Sequence, residues 1–316
     1  MLFRKVKYFE HKKCFFCGSK RTKKNGKQNG KQRYKCNDCG RRFDGGERLN
    51  SAKLWRLYSE RKQSKSQLAE QFKCSRMTIH RYLNKSIKNS NFAVPDSVHL
   101  IMDTTYFGRK YGVMVLFDAR TKQTLSVDEV AYETNALYFK AVNKLKEKGV
   151  EIQSITCDLR QGLTDLFPNI PVQLCQFHQI KNIRKYLTNK PKTMAGIALN
   201  AITLTLTKTN RNAFENELNQ WFIKYKSFLN ERTINAETGR SHYTHKRLRS
   251  AFFSLKRNLP YLFVFEDFPD LNIPNTTNLL EEKFKDVKRL LSNHQGMRKD
   301  NKILFIKDFL SLKQSK

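Results

Sequence analysis

Two closely spaced pairs of cysteines constrain the start of this chain more than any other feature. Cys14 and Cys17 form one C-x-x-C pair, Cys36 and Cys39 form the other, and 18 residues separate the pairs. Four thiolates at this spacing are typical of a zinc ribbon, in which the sulfurs close a tetrahedron around one structural Zn²⁺. Residues 1–46 are too few to bury a core of their own, so a metal must supply the stability. Disulfide bonds are the alternative, which an intracellular location would disfavour.

Two basic runs lie between the cysteine pairs, at residues 20–27 and 32–35. They predict two strands joined by a polar turn. Lysines on such strands, Lys23 and Lys24 among them, suit contacts with phosphate better than the readout of base edges. We therefore expect this segment to bind the backbone of a nucleic acid.

The chain is strongly basic, with 61 lysines and arginines against 28 acids and a formal net charge of +33. Residues 1–90 alone hold 26 basic and 6 acidic residues. A charge this large opposes compaction unless a polyanion neutralises it, which favours a nucleic-acid partner over a merely solvated basic surface. An anionic membrane is the rival polyanion, but the sequence contains no apolar stretch of about 18 residues and no signal-peptide pattern. We expect no membrane partner and a cytoplasmic location.

Residues 64–83 have the apolar spacing of two short helices separated by a break at residues 73–74. Ser66 is the expected cap of the first helix and Ser75 that of the second. Next to a zinc ribbon, this pattern predicts a helix-turn-helix DNA-binding segment over residues 47–90. The second helix would present four side chains to a major groove: Arg76, Thr78, His80 and Arg81. Packed helix pairs also occur in proteins that do not bind DNA, so the basic surroundings carry much of this prediction.

The pattern changes to that of an α/β domain from residue 95 onwards. Five apolar runs predict strands, at residues 98–107, 111–117, 124–131, 152–156 and 172–175. A helix is predicted over 135–148, between the third strand and the fourth. Three antiparallel strands, a crossover helix and further strands are the order of a ribonuclease-H-like fold. The expected fold class is therefore a multi-domain α/β protein with a zinc ribbon, a helix-turn-helix and a ribonuclease-H-like domain.

Two aspartates would lie close together in such a sheet. Asp103 is in the middle of the first predicted strand, and Asp158 follows the fourth, which is the neighbour of the first. Converging carboxylates repel each other unless a cation lies between them, and hard oxygen ligands select Mg²⁺ or Mn²⁺. The alternative is that Asp103 forms an ion pair with an arginine.

A third acid is expected from a late helix that Thr276 or Thr277 can cap. Glu281 shares the helix face that would meet the sheet with three residues: Phe284, Val287 and Lys288. Glu282 would point elsewhere, although it remains the second candidate for the third acid. Both glutamates could instead be ordinary first-turn acids that the helix dipole favours.

Five short motifs follow one another in a characteristic order: Met102-Asp103-Thr104, Cys157-Asp158, Cys175-Gln-Phe-His178-Gln-Ile-Lys181, Thr276-Thr-Asn278-Leu-Leu-Glu281 and His294-Gln-Gly-Met297. In these motifs the chain resembles the DDE transposases of bacterial insertion sequences related to Mutator-like elements, in the branch with an N-terminal zinc-binding segment. The resemblance implies that a metal-binding catalytic triad is formed by Asp103, Asp158 and Glu281. It also implies structural or DNA-contact roles beside the active site for Cys175, His178 and Asn278.

The function that the resemblance implies is DNA transposition. The protein would bind terminal inverted repeats, cleave the element's ends and transfer them to target DNA, as a homodimer or larger assembly. The implied catalytic core comprises residues 91–190 and 274–316, with an all-α insertion over 191–273. A zinc-dependent DNA-binding regulator without chemistry, and a ribonuclease-H-like nuclease without strand transfer, are the alternatives.

Overall fold

The structure is a computed structural model of the chain. It describes residues 13–14, 16–28, 31–44, 49–59, 61, 63–85, 95–109, 111–292, 297 and 299–311. The chain divides into two compact units, Met1–Lys88 and Asn89–Lys316. No helix within the described ranges is long and apolar enough to cross a membrane. The motif predicted at residues 294–297 lies outside the described residues except for Met297.

The first unit contains a three-stranded antiparallel sheet with its strands in chain order. The strands are β1 (Thr22–Gln28), β2 (Lys31–Cys36) and β3 (Arg42–Asp44). β1 and β2 are the two basic strands predicted between the cysteine pairs. Cys14, Cys36 and Phe43 form a small buried cluster, and the ring of Tyr34 stacks on that of Phe43 with centroids 5.9 Å apart. So few buried apolar side chains leave this sheet dependent on a further constraint, such as a metal.

Three helices follow the sheet: α1 (Ser51–Ser59), α2 (Lys65–Gln71) and α3 (Arg76–Lys85). The hydroxyl of Ser64 accepts the N–H of Gln67 at 3.2 Å, and the Gln67 side chain accepts the N–H of Ser64 at 2.8 Å. The prediction that Ser66 caps this helix is therefore wrong, because a reciprocal capping box begins two residues earlier. Ser75 caps α3 as predicted, since its hydroxyl accepts the N–H of Thr78 at 3.1 Å.

The turn between α2 and α3 lets the apolar faces of the two helices meet. Lys73 adopts a left-handed conformation with φ of 48°, which reverses the chain directly after α2. α2 buries Leu68 and Ala69, and α3 buries Ile79 and Leu83. The two helices pack on each other and on α1, as the helix-turn-helix pattern predicts.

The second unit is built on a five-stranded mixed sheet. Its strands are β4 (Ser97–Gly108), β5 (Tyr111–Asp118), β6 (Gln123–Val130), β7 (Glu151–Cys157) and β8 (Val172–Leu174), in the order β6-β5-β4-β7-β8. β4, β5 and β6 are antiparallel neighbours, whereas β7 runs parallel to β4 and β8 parallel to β7. All five predicted strands are confirmed, and the first of them lies beside the fourth. The crossover is made by α4 (Asn135–Lys146), which Thr134 caps.

Seven helices and a hairpin follow β8: α5 (Gln176–Leu187), α6 (Met194–Thr205), α7 (Arg211–Asn230), β9 (Arg232–Ile234), β10 (Ser241–Tyr243), α8 (Lys246–Leu262), α9 (Val264–Asp267), α10 (Asn278–Ser292) and α11 (Lys299–Ser311). β9 and β10 pair antiparallel, so the prediction of an all-α insertion is wrong. The Asn235 carboxamide accepts the N–H groups of Glu237 and Thr238, which forms the turn between the strands. Strands of three residues are too short to show an alternating pattern in the sequence.

Side chains alternate along β4, and this alternation decides which of them reach the candidate site. Leu100 and Met102 enter the core on one face of the sheet, whereas Ile101 enters a second core. Phe284 and Val287 of α10 belong to that second core. Asp103 follows Ile101 at the next position on the same face, so its side chain lies on the side of the sheet that α10 covers.

Candidate functional site

α10 presents one of its two glutamates to the sheet. The side chain of Glu281 is 13% exposed, whereas Glu282 is exposed to solvent. Lys288, predicted on the face that meets the sheet, is exposed at the edge of that face, and its Nζ lies 5.9 Å from the centroid of the Phe107 ring of β4. Lys283 is the buried lysine of the helix, and its Nζ lies 4.6 Å from the centroid of the Phe117 ring.

Three ligand-type side chains from three elements meet on this face. Asp103 of β4, His178 of α5 and Glu281 of α10 each bring one donor atom within 4.8 Å of the other two. His178 Nε2 lies 3.2 Å from Glu281 Oε1. Lys181, one turn further along α5, donates to both carboxylate oxygens of Glu281 at 3.1 Å. The site therefore joins two acids, an imidazole and an ammonium group that are far apart in the sequence.

Asp158 follows β7, the strand that pairs with β4. Its Oδ1 accepts the N–H of Arg160 at 3.1 Å, which holds the carboxylate in the turn after the strand. Asp158 does not belong to the group of donor atoms that lie within 4.8 Å of one another. Its charge nevertheless contributes to the raised pKa of Asp103. The structure thus brings Asp103 and Glu281 together in one group of donor atoms and leaves Asp158 outside that group.

Burial makes Asp103 a weak acid in the absence of a cation. The residue is 8% exposed, and burial raises its pKa to about 7. The N–H of Thr104, which donates to Asp103 Oδ1 at 2.8 Å, opposes this rise in pKa, and the charges of Asp158, Glu281 and Glu133 add to it. Among the residues that the structure describes, no lysine or arginine forms an ion pair with Asp103. The ion-pair alternative therefore lacks a partner in the described part of the chain.

Glu133 is a fourth acid beside the site, and the sequence analysis did not single it out. The Tyr138 hydroxyl donates to its Oε1 at 2.7 Å, and Arg160 Nη1 lies 3.9 Å from its Oε2. The same hydroxyl lies 2.8 Å from Oγ1 of Thr104. Burial raises the pKa of Glu133 as well. In the sequence it precedes the cap residue Thr134, where an acid is ordinary, so no local signal marks it.

Cys175 and Asn278 are the other residues predicted beside the site, and they differ in burial. The Cys175 sulfur is buried and accepts the N–H and the hydroxyl of Thr277 at 3.3 and 3.4 Å. The Thr277 hydroxyl also lies 3.4 Å from His178 Nδ1, so the start of α5 and the start of α10 form one hydrogen-bonded unit. Asn278 is exposed at the first residue of α10.

The four cysteines of the first unit converge. Their sulfurs all lie within 4.8 Å of one another, with 3.5 Å between Cys14 and Cys39 and 3.6 Å between Cys17 and Cys36. Hydrogen bonding from the Cys39 backbone is the leading cause that lowers the pKa of Cys36 to about 6. Tetrahedral Zn–S bonds of about 2.3 Å place sulfurs about 3.8 Å apart. The donor set and its spacing therefore fit one Zn²⁺.

The predicted DNA-contact residues differ in exposure. Four of them are exposed on α3 or β1: Arg76, Arg81, Lys23 and Lys24. Thr78 and His80 are half-buried. The Thr78 hydroxyl lies 3.0 Å from that of Ser75, and His80 Nδ1 lies 3.2 Å from Lys65 Nζ. The two arginines are thus the groups of α3 that are freest to reach a DNA groove.

Two family models match the chain. The model described as a transposase of the Mutator family matches residues 112–295, more than half of the chain. The chain belongs to the Mutator family of transposases. The matched segment contains Asp158, His178 and Glu281, while Asp103 lies just before it. The model described as the helix-turn-helix domain of resolvase matches residues 40–86 of this transposase, which include α1, α2 and α3.

No curated protein matches this transposase significantly. Among solved structures, it matches a chain of a simian T-cell lymphotropic virus intasome in complex with a PP2A regulatory subunit, with 13% sequence identity. The match covers 62% of the transposase and 74% of that chain, with a TM-score of 0.21. A TM-score this low supports no argument about the transposase.

The donor set beside β4 fits a hard divalent cation in the transposase. Asp103 and Glu281 offer carboxylate oxygens, which Mg²⁺ and Mn²⁺ prefer. Their mutual repulsion, with the nearby charge of Asp158, is a cost that a bound cation removes. His178 adds an imidazole nitrogen, which suits Mn²⁺ better than Mg²⁺.

Proposed function

We propose that this transposase cuts the ends of its element and joins them to target DNA at a divalent-metal site formed by Asp103, Asp158 and Glu281. The observation that carries the proposal is the buried Asp103 carboxylate, which lies close to Glu281 and whose pKa is raised by burial and, to a smaller extent, by the charge of Asp158. The sheet order, with antiparallel strands on one side of β4 and parallel strands on the other, supports a ribonuclease-H-like catalytic fold.

In this proposal the three carboxylates hold Mg²⁺ or Mn²⁺. When bound there, such a cation would supply charge neutralisation at the phosphate and activation of water, or later of a DNA 3′-hydroxyl, as the nucleophile. No covalent protein–DNA intermediate is required, so no serine or tyrosine nucleophile is assigned. The protein's contribution is to hold the carboxylates, exclude bulk water and position the DNA.

Several side chains of the second unit would position the acids. Lys181 and His178 contact Glu281 from α5, so they hold its carboxylate against the sheet. The N–H of Arg160 fixes Asp158, and its guanidinium lies beside Glu133. Glu133 in turn accepts a hydrogen bond from Tyr138, which contacts the residue after Asp103. These contacts support a role for Glu133 as a positioning residue of the active site.

The first unit would bind the terminal inverted repeats. Residues 1–46 form the zinc ribbon and residues 47–90 the helix-turn-helix in this scheme. Arg76 and Arg81 would contact base edges, and Lys23 and Lys24 would contact phosphates. Because an element has two ends that must reach one target site, the active form is a homodimer or a larger assembly on DNA.

The adjacent glutamates of α10 provide a sharp test. Purified Glu281→Gln and Glu282→Gln proteins are given duplexes that carry the element's terminal repeats, with Mg²⁺ and a target plasmid. Glu281→Gln should lower cleavage and strand transfer by about a thousandfold or more, because metal-assisted stabilisation is worth several kcal/mol. Glu282→Gln is the matched control on the exposed face and should keep near-normal activity. Both variants should bind the repeats as the unaltered protein does.

Four outcomes would contradict the proposal. Equal activity of the two variants would remove Glu281 from the site, and the reverse pattern would assign the third acid to Glu282. Cleavage without strand transfer by the unaltered protein would favour the nuclease alternative. Binding without either reaction would favour the regulator.

A further inference from the structure

One cavity of the second unit lies between α5, the β9–β10 hairpin and α8. It has a volume of about 370 Å³, and six of its lining side chains are aromatic or cationic: Tyr186, Tyr243, Lys246, Arg249, Phe253 and Arg257. We call it the Arg249 pocket. Its volume is near the lower end of the range of about 300–1,000 Å³ for ligand pockets, a size for one small group and not for a duplex.

The rings and cations of the Arg249 pocket are stacked on one another. The Arg249 guanidinium lies 3.9 Å from the centroid of the Tyr243 ring and 4.7 Å from that of Phe253. Arg249 Nη1 also donates to Asn230 Oδ1 at 2.9 Å, which fixes the guanidinium plane between the rings. Phe253 nevertheless remains 37% exposed. The Arg232 guanidinium also lies 4.7 Å from the Tyr243 centroid, so two cations already cover the tyrosine ring. The Phe253 ring is therefore the flat, partly exposed surface of the pocket on which a nucleic-acid base can stack.

The surroundings of the pocket are basic without compensating acids. α5 and α8 together contain eight lysines and arginines and no aspartate or glutamate. Lys246 and Arg257 are exposed at the pocket. Among the described residues, neither forms an ion pair with an acid. A ligand that has a planar ring and a negative charge would match both the aromatic and the cationic side chains of the pocket.

α5 links the Arg249 pocket to the active site. His178 and Lys181 lie in the first half of this helix and contact Glu281, and Tyr186 lies near its end. With a rise of 1.5 Å per residue, the helix positions of His178 and Tyr186 are about 12 Å apart along its axis. That distance corresponds to about three or four nucleotide steps of 3.4 Å along one DNA strand.

The spacing is fixed because α5 and α8 are joined by buried hydrogen bonds. Asn182 donates to the Ser254 hydroxyl at 3.0 Å, and Asn258 donates to Gln179 Oε1 at 2.8 Å. Ser254 is 2% exposed. The pocket and the acids of the active site are therefore parts of one rigid arrangement within the second unit.

We propose that the Arg249 pocket binds one unstacked base, with its phosphate, of the DNA strand being cut, about three or four nucleotides from the cleaved bond. The proposal rests on the proposed function, because it takes the reacting phosphate to lie at Asp103 and Glu281. A base held there fixes the position of the cleavage site along the strand. The ring of Phe253 contacts the base, and Lys246 and Arg257 contact the phosphate.

Photocrosslinking with the full-length protein tests the position of the base. A duplex that carries the element's end and its flank is prepared with 5-iododeoxyuridine at one position at a time on the cut strand. After irradiation, the crosslinked residue is identified by mass spectrometry. The expected result is a maximum about three or four nucleotides from the cleavage site, attached to Phe253. Crosslinks confined to residues outside the pocket, or equal yields at all positions, would overturn the proposal.

Two pairs of variants test the chemistry of the pocket. Phe253→Ala and Arg257→Ala should each lower the crosslink yield at the maximum at least about fivefold, as for the loss of one stacking or phosphate contact. Tyr261→Ala and Lys256→Ala are matched controls, since these exposed α8 residues do not line the pocket. The controls should retain the yield, and all four proteins should melt within a few degrees of the unaltered one. Equal losses in variants and controls would refute a specific pocket.

The crosslink requires no cleavage, so its failure can be told apart from failure of the proposed active site. Glu281→Gln should crosslink at the pocket as the unaltered protein does. If Glu281→Gln abolishes cleavage while no nucleotide crosslinks to the pocket, the pocket proposal falls and the active site stands. If Glu281→Gln still cuts DNA and the pocket crosslinks, the active-site assignment falls and the pocket is a DNA site of another kind.

Discussion

Replacing Asp103 by asparagine keeps the shape of the side chain and removes its charge. The asparagine Oδ1 can still accept the N–H of Thr104, which donates to Asp103 at 2.8 Å. The substitution therefore isolates the cost of holding a negative charge in a buried position beside other acids. We expect the variant to lose cleavage and strand transfer, and to be more stable than the unaltered protein at alkaline pH without divalent cations.

The expected gain in the stability of Asp103→Asn follows from the pKa of Asp103. The pKa is raised from 3.8 to about 7 in the folded protein, which thus binds the proton more tightly than the unfolded chain. Stability falls as pH rises from about 4 to about 7 and remains low above that. Because one pH unit in this interval is worth about 1.4 kcal/mol, the ionised group costs up to ~4 kcal/mol at pH 8. Asp103→Asn should recover most of this free energy at pH 8 and none below pH ~4.

Urea unfolding followed by tryptophan fluorescence can measure the change in the free energy of unfolding of the second unit. The chain has two tryptophans, of which Trp221 is buried in the core that β4 shares. A Trp55→Phe background leaves Trp221 as the only reporter, so the transition reflects the second unit. Asp128→Asn, on β6 of the same sheet, is the matched control and should show no comparable gain. Added Mg²⁺ should stabilise the unaltered protein more than Asp103→Asn.

The opposite result would refute the reasoning. If Asp103 were half of a buried ion pair, its removal would leave an uncompensated charge and cost roughly 3–5 kcal/mol at pH 8. A variant that is much less stable, or that still cuts DNA at a near-normal rate, would make Asp103 a structural residue. If the stability of Asp103→Asn and that of the unaltered protein depend on pH in the same way, Asp103 is already ionised in the folded protein over this pH range.

Three further predictions follow from the other sites. Cys36→Ser removes one of four sulfur ligands, so the purified protein should contain less than one zinc per chain and the ribbon should become sensitive to protease; full zinc occupancy would contradict this. Arg81→Ala should reduce the preference for terminal-repeat DNA over random DNA, whereas Lys24→Ala should weaken binding to both alike, as competition binding at fixed salt will show. Glu133→Gln should lower the rate of cleavage about tenfold or more without loss of DNA binding; a normal rate would exclude a positioning role.

The strands of the second unit could be predicted because their signals are local. β4, β5 and β6 are apolar runs separated by short polar links, so length and composition suffice to place each within a residue or two. The adjacency of β4 and β7 followed from the order of elements. The cap of α2 is also readable, since Ser64 and Gln67 have the spacing of a capping box, which is a stronger signal than the lone hydroxyl of Ser66.

The chemistry of the site was harder to predict because it depends on contacts between distant parts of the chain. Lys181 and Glu281 are separated by 100 positions, and no local pattern shows that their side chains meet. His178 was expected beside the site, and only the packing of α5 against α10 brings its nitrogen to Glu281. Glu133 has no sequence signal at all, because its setting is created by Tyr138 and Arg160 from two other segments.

The distribution of charge suggests an order of binding. The chain has a formal net charge of +33, yet four of its 28 acids gather beside β4: Asp103, Glu133, Asp158 and Glu281. A DNA phosphate that approaches these carboxylates is repelled by them, because the charges have the same sign. Lys181 offsets only part of that charge, since it is already paired with Glu281. In the proposed mechanism, basic surfaces elsewhere would hold DNA without a cation, whereas the bond to be cleaved would enter the site only with one. The metal would therefore have to bind before or together with the reacting phosphate.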